Sequence, residues 1–152
     1  MAQTLAEAVA AYPADDPDWQ VADALNAPDA SLPSKTIDVS VSDVRSILMT
    51  SGAWGGIVLA ASDTNQTAQV RGLCITVRDA MTDLTSLFMS TPAINASITS
   101  MMDGLLAGSL ITQATHDALL ALSKASSSWA DVNYGGVPVT ARDVGIARGG
   151  VA

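Results

Sequence analysis

One histidine, one cysteine and a run of aspartates are the side chains here that could do chemistry. His116, the sole histidine, could move a proton near neutral pH or ligate a metal, but either task needs partners converging on its ring. The sequence offers no HxxxH, HExxH or Cys/His set. His116 follows Thr112 on a short helix, beside Asp117 and away from the apolar stripe, which reads as a surface histidine. Cys74, the sole cysteine, could act as a nucleophile only as a thiolate. Its place in the apolar spacing of a long helix reads as a small buried thiol. A single cysteine also excludes an intrachain disulfide or a cysteine-based zinc cluster.

Asp15-Asp16-Pro17-Asp18 gathers carboxylates as a calcium loop does, yet the proline and the immediate helix start do not fit the alternating oxygens and distal glutamate of a calcium-binding hand. A capping acid followed by a solvated acidic loop is the expectation. The chain holds one glutamate, Glu7, so paired carboxylates for acid–base work would have to be aspartates, and no spacing selects such a pair. Gly52-Ala53-Trp54-Gly55-Gly56 lacks the lysine and hydroxyl of a phosphate loop and the strand context of a dinucleotide fold; a close helix crossing is expected there instead. No catalytic residue, cofactor or metal site is expected.

The elements that would position these residues are mostly helices, announced by a Ser, Thr or Asp with an acid or amide three residues on. Thr4 with Glu7 opens a helix over about 5–12. Asp16 opens a second, with Pro17 at the first helical position, running to Asn26 before Pro28. Residues 29–39 read as an extended linker. Ser40 with Asp43 caps a helix through Val44, Ile47 and Leu48, and Trp54, Ile57, Val58 and Ala61 have helical spacing. Asp63 with Gln66 is expected to cap the long helix of Val70, Leu73, Cys74, Val77, Met81 and Leu84, continued after a bend by Leu87, Phe88 and Met89. Thr91-Pro92 restarts a helix that ends at Gly108 in the C′ role. Thr112 opens the next, Trp129 to Asn133 makes one turn, and Thr140 with Asp143 caps a last helix ended by Gly149-Gly150. Met81, Met89, Met101 and Met102 are expected in the core, with an adaptable docking surface as the alternative.

Val39-Ser40-Val41-Ser42-Asp43-Val44 and Val139-Thr140-Ala141-Arg142-Asp143-Val144 repeat one capping pattern, and a minimal two-stranded β ribbon is expected if the two extended pieces meet. The fold expected is all-α, a single domain over 1–152 of six to eight short helices. It divides along the chain into an acidic portion 1–43 with a linker near 27–39, a helical core 44–125 and a C-terminal turn and helix 126–152.

Charge is uneven along the chain. Through Asp43 there are eight acidic residues against one base, Lys35, so about −7 of the net −8 lies there. A pI near 4.2 and seven Lys and Arg disfavour nucleic-acid binding, which needs a basic footprint, and adhesion to anionic lipid. The apolar stretch 47–61 is too short for a membrane span and is broken by glycines. The N-terminus has no positive segment ahead of an apolar one and does not read as a secretory signal. Charged residues make up 14% and hydrophobic ones 49%, against about a quarter charged in ordinary domains, so part of the apolar surface is expected to be covered by other proteins. Trp54 is expected in the core. Trp19 and Trp129 flank polar segments, where core and interface roles are both open. Trp19, Trp54, Trp129 and Tyr134 are the candidate anchors, and Asp15, Asp16 and Asp18 the candidate acidic patch.

From Leu105 the chain reads LLAGSLITQATHDALLALSKASSSWADVNYGGVPVTARDVGIARGG. Gly108 to Thr112 as a helix start, "ALLAL" at 118–122, the turn at 128–131, Gly135-Gly136 and the terminal "VT..DV..AR" helix at 139–148 resemble, in that order, the endings of small helical accessory virion proteins of tailed bacteriophages. "ADALNAP" at 22–28 is similar to that group as well. The likeness covers about a third of the chain well, and Trp129, Asp131 and the added Gly149-Gly150 depart from it. It implies a non-enzymatic, multicopy or homo-oligomeric protein of the virion, made in the host cytoplasm, whose partners are other phage structural proteins of the tail, fibre-attachment region or capsid. An assembly chaperone absent from the mature particle is the alternative, and a small acidic inhibitor mimicking DNA is disfavoured by the near-neutral stretch after Asp43.

Overall fold

Side-chain caps begin most of the helices in the computed structural model, which describes residues 2–150. In chain order the elements are α1 (Leu5–Val9), α2 (Asp18–Asn26), β1 (Lys35–Thr36), β2 (Val39–Ser40), α3 (Val41–Thr50), α4 (Ala53–Ser62), α5 (Ala68–Asp83), β3 (Ser86–Leu87), α6 (Pro92–Ala107), α7 (Gln113–Ala121), β4 (Lys124–Ala125), α8 (Trp129–Asn133) and α9 (Ala141–Ala147). The fold is mostly helical, as expected, with nine helices among the described residues rather than six to eight. Thr4 with Glu7, Ser128 with Asp131 and Thr140 with Asp143 form reciprocal capping boxes. These boxes hold the acids below the usual carboxylate range, because the cap residue's backbone N–H and hydroxyl both donate to them. Asp131 goes furthest, down to about 2, through Lys35 first and Ser128 second.

Two helix starts lie downstream of their expected positions. Pro17, extended at ψ 139°, takes the cap position of α2 and leaves Asp16 outside the helix. Asp63 instead accepts the backbone N–H of Asn65 in a turn, so Thr67, whose hydroxyl accepts from the Val70 N–H, is the cap of α5. Gly108 is the C-cap of α6 at φ −79° rather than its left-handed C′ residue, and the left-handed residue after α6 is Ser109 at φ 56°. Leu110 N–H to Leu105 C=O and Ser109 N–H to Leu106 C=O then complete a Schellman closure.

The chain forms two compact units, one from 1–35 with 125–152 and one from 36–124; β1 and β4 stand where it passes between them. In the first unit α9 packs on α1 and α2, and α8 packs on α2. The core there is small: Ala8, Val9, Val21, Ala22, Leu25, Ala130, Val139 and Val144, with Val21 and Val144 wholly buried. Asn26 ties this unit together, its amide donating to the Val139 C=O and accepting from the Val139 N–H, both at 2.8 Å. In the second unit α3 to α7 enclose Leu48, Ile57, Cys74, Met81, Met102, Leu105 and Leu119.

The β ribbon exists, but not between the repeated pieces. β2 pairs antiparallel with β3, Val39 opposite Leu87 and Ser40 opposite Ser86, while Val139 is satisfied by Asn26. Leu87, Phe88 and Met89 therefore do not extend α5. The chain turns extended at Leu84 (ψ 153°) and pairs as β3 through Leu87, and the turn that follows leaves Phe88 exposed and Met89 buried. No helix among the described residues is long and apolar enough to cross a membrane; α3 and α4 suffice together but bend by 96°.

Candidate functional site

The candidate acidic patch lies on the entry to α2, and Arg148 organises it. Its guanidinium donates to the Asp18 carboxylate at 2.7 Å, the Asp16 C=O at 2.6 Å and the Pro13 C=O at 2.8 Å. Three acceptors from one short loop fix the loop's shape, and the planar fork of arginine suits the task. Gly145 on α9 makes room, since a Cβ there would lie 2.9 Å from an Asp18 carboxylate oxygen. Asp18 is thus committed within its own unit, whereas Asp15 is exposed and forms no ion pair among the described residues. No local spacing points to Arg148, whose role arises only where α9 meets the entry to α2.

The aromatic candidates divide. Trp19, on α2 next to Asp18, is 60% exposed and does not pack on the core of its unit. Trp129 is half-buried; its Nε1 donates to Gln3 Oε1 at 2.9 Å and its ring lies 6.4 Å from that of Tyr134 at 31°. Both pack on the core of the first unit. Trp54 packs half-buried on the core of the second. Trp19 therefore presents the most surface to a partner. The glycines near Trp54 do not mark a helix crossing: a Cβ at Gly55 or Gly56 would meet nothing within 4 Å, and Gly52 is required by its left-handed φ of 77°. The close approach is at Gly104 of α6, where a Cβ would lie 2.9 Å from a methyl of Leu73 on α5.

His116 is not a surface residue. It is 7% exposed, with Nε2 2.8 Å from Asp103 Oδ1 on α6 and Nδ1 3.3 Å from Asp117 Oδ1. Asp103 first and Asp117 second raise its pKa above the ordinary histidine value. Asp117 is lowered in turn, mainly by the Gln113 amide that donates to it at 2.7 Å. With a carboxylate at each ring nitrogen, His116 and its two partners form an electrostatic clasp of α7 on α6. Among the described residues no three His, Cys, Asp or Glu side chains are placed to share a metal ion. Cys74 is fully buried, and burial pushes its thiol pKa up, away from nucleophilic use.

A feature that no sequence motif announced lies on the second unit. An open trough of about 490 Å3 on α5, α6 and the segment joining them is lined by residues that include Ala80, Leu84, Phe88, Ile94, Ile98 and Met101. Phe88, the only phenylalanine, is 56% exposed, and Leu84 and Ile94 are exposed as well. Ala80, Leu87, Ile98 and Met101 also wall a smaller recess of about 50 Å3 that reaches Met81, Met102 and Leu119. Met81, Met89 and Met102 are core, as expected, while Met101 is only half-buried at this trough. The trough's one signal in the sequence is Phe88, an aromatic residue between the buried Leu87 and Met89. No protein-family model, curated protein or solved structure matches the chain.

Proposed function

We propose that this chain is a non-enzymatic structural subunit of a tailed-bacteriophage particle, docking in multiple copies on other virion proteins of the tail, fibre-attachment region or capsid. The observation that carries the docking part is the amount of large apolar side chain left in water: Trp19 on the first unit, and Met49, Leu59, Leu84, Phe88 and Ile94 on the second. Exposed apolar patches rimmed by polar residues are what protein-docking sites look like, and tryptophan is a preferred anchor. The virion part rests on the ordered C-terminal motifs from Gly108 to Arg148. On this reading the protein is made in the host cytoplasm, carries no cofactor, and contacts neither nucleic acid nor membrane directly; its net charge of −8 supports the last two points.

Trp19 supplies the test. Trp19→Ala removes an exposed ring, so the fold should keep its unfolding midpoint, while the fraction of the chain sedimenting with phage particles through a density gradient should fall by about tenfold or more, as for an interface anchor. Retention equal to that of the unaltered chain would remove Trp19 from the interface.

A further inference from the structure

We propose that a pocket on the first unit, lined by Tyr12, Asp29 and Trp129, seats an arginine side chain of a partner protein. The inference rests on the docking reading above and names the group that the partner brings. The pocket holds about 200 Å3 and is lined from α1, α2, the segments next to them and the first residue of α8. It is smaller than the roughly 300 Å3 at which pockets for drug-sized molecules begin, so it suits one side chain. Its parts are those that recognise an organic cation. Aromatic rings attract a cation through the negative face of the π system, and two of them line the pocket together with a carboxylate, Asp29, the one charged residue in the lining. All three are held in place by their own unit. Trp129 Nε1 donates to Gln3 Oε1, Tyr12 and Trp129 pack on the core of the unit, and the Asp29 N–H donates at 2.8 Å to the C=O of Ser127, two residues ahead of Trp129. A seat formed before the partner arrives costs less to fill.

The Asp29 carboxylate has an oxygen to spare. Its Oδ1 accepts from the Ser31 hydroxyl at 2.7 Å and the Ser31 N–H at 2.8 Å, in that order the causes that hold the carboxyl below its ordinary range. Oδ2 has no hydrogen-bond partner and Asp29 no ion pair among the described residues. Arginine suits this set better than lysine. An ammonium is strongly hydrated and needs several acceptors in place of its water, whereas a guanidinium is weakly hydrated, stacks on aromatic rings and presents an edge of N–H groups to a carboxylate. Gln3 Oε1 is already taken by Trp129, which leaves a lysine short of acceptors. Leu25 and Leu32 also line the pocket and give the methylene stem apolar contact. The charge around the pocket favours a cation as well, since the unit has eight acidic and three basic residues. Two of those bases, Lys35 and Arg148, are paired with Asp131 and Asp18. A second copy of this chain, which would offer the third, Arg142, is the poorer occupant because net negative copies repel.

The test uses the full chain, isotope-labelled at nitrogen, and three probes: N-acetylarginine methylamide and its lysine and citrulline counterparts. The indole N–H signal of Trp129 is followed by NMR and identified by its loss in Trp129→Phe. The arginine probe should shift it to saturation, the lysine probe should bind about threefold or more weakly, and citrulline, which keeps the shape without the charge, should leave it in place. Asp29→Asn retains an oxygen for Ser31 and should weaken arginine binding by about three- to tenfold. Asp15→Asn, the same change of charge elsewhere on the unit, should alter it by less than about twofold. Asp15 and Asp29 are exposed, so both variants should melt with the parent. Asp29→Asn should also lower the fraction of the chain sedimenting with phage particles by about threefold or more. Four results would overturn the proposal: no saturable shift with the arginine probe, equal or tighter binding of the lysine or citrulline probe, indifference to Asp29→Asn, or an equal loss from Asp15→Asn, which would make net charge the cause. Probe binding with full particle retention of Asp29→Asn would overturn the partner's arginine in favour of a free guanidinium compound. Self-association of the parent chain that Asp29→Asn abolishes would overturn it in favour of a second copy. Failure of the arginine probe with Trp19→Ala still releasing the chain from particles would leave the docking reading standing and this pocket outside it.

Discussion

His116 meets a carboxylate oxygen at each ring nitrogen, and only the imidazolium can donate to both. The charged groups acting on it are Asp103 of α6 and Asp117 of its own helix. α3, the other helix packed on α7, carries Asp43 and Arg45, and the latter donates to the Met81 C=O. A pKa raised in the fold above its unfolded value near 6.5 means that the folded state holds the proton more tightly. The stabilisation is therefore complete below about pH 6.5 and is lost as pH rises through the raised value. Between about pH 6 and 8, below the range where Cys74 titrates, the unfolding midpoint should fall as pH rises, and His116→Gln should flatten that slope. The same slope in the variant would contradict the assignment. The sequence placed His116 on the surface because its own helix gives it no apolar neighbours; Asp103, thirteen residues earlier, closes over it from α6, which no local spacing reveals.

At the scale of elements, caps were the legible part. Thr4, Ser40, Thr112 and Thr140 all occupy the cap positions expected of them, because a cap is a contact between residues two or three apart. Where two hydroxyl or carboxyl residues compete, as Asp63 and Thr67 do, the pattern alone does not decide; Asp63 is drawn into its own turn. Strand β3 was hidden for the opposite reason, since a two-residue strand is defined by its partner β2, nearly fifty residues away. The bond pair between Asn26 and Val139 is likewise non-local and substitutes a side-chain amide for a neighbouring strand. Asn26→Ala would leave the N–H and C=O of buried Val139 unpaired, and should lower stability by about 2 kcal/mol, measured by urea unfolding. A loss under about 0.5 kcal/mol would mean that water takes over both contacts.

For the whole molecule, the division that charge suggested along the chain differs from the one the fold makes. The acidic N-terminal portion up to residue 35 folds with residues 125–152, bringing Arg148 to Asp18 and Lys35 to Asp131, so part of its charge is neutralised by the far end of the sequence. Long-range closure of this kind leaves no periodic trace. Each unit still carries net negative charge, and each exposes large apolar side chains, Trp19 on one and Phe88 with Leu84 and Ile94 on the other. That combination supports the proposed docking on other proteins. Two of the seven candidate site residues, Trp19 and Asp15, remain outward and uncommitted, while Trp129, Tyr134, Asp16 and Asp18 are engaged within their own unit. The most direct measurement is quantitative mass spectrometry of density-gradient-purified phage particles from the source genome, with copies of this chain counted against the portal protein. A fixed whole-number ratio is the result expected of a structural subunit. Absence from mature particles, with the chain present in infected cells, would contradict it and make the protein an assembly factor that leaves before the particle is complete.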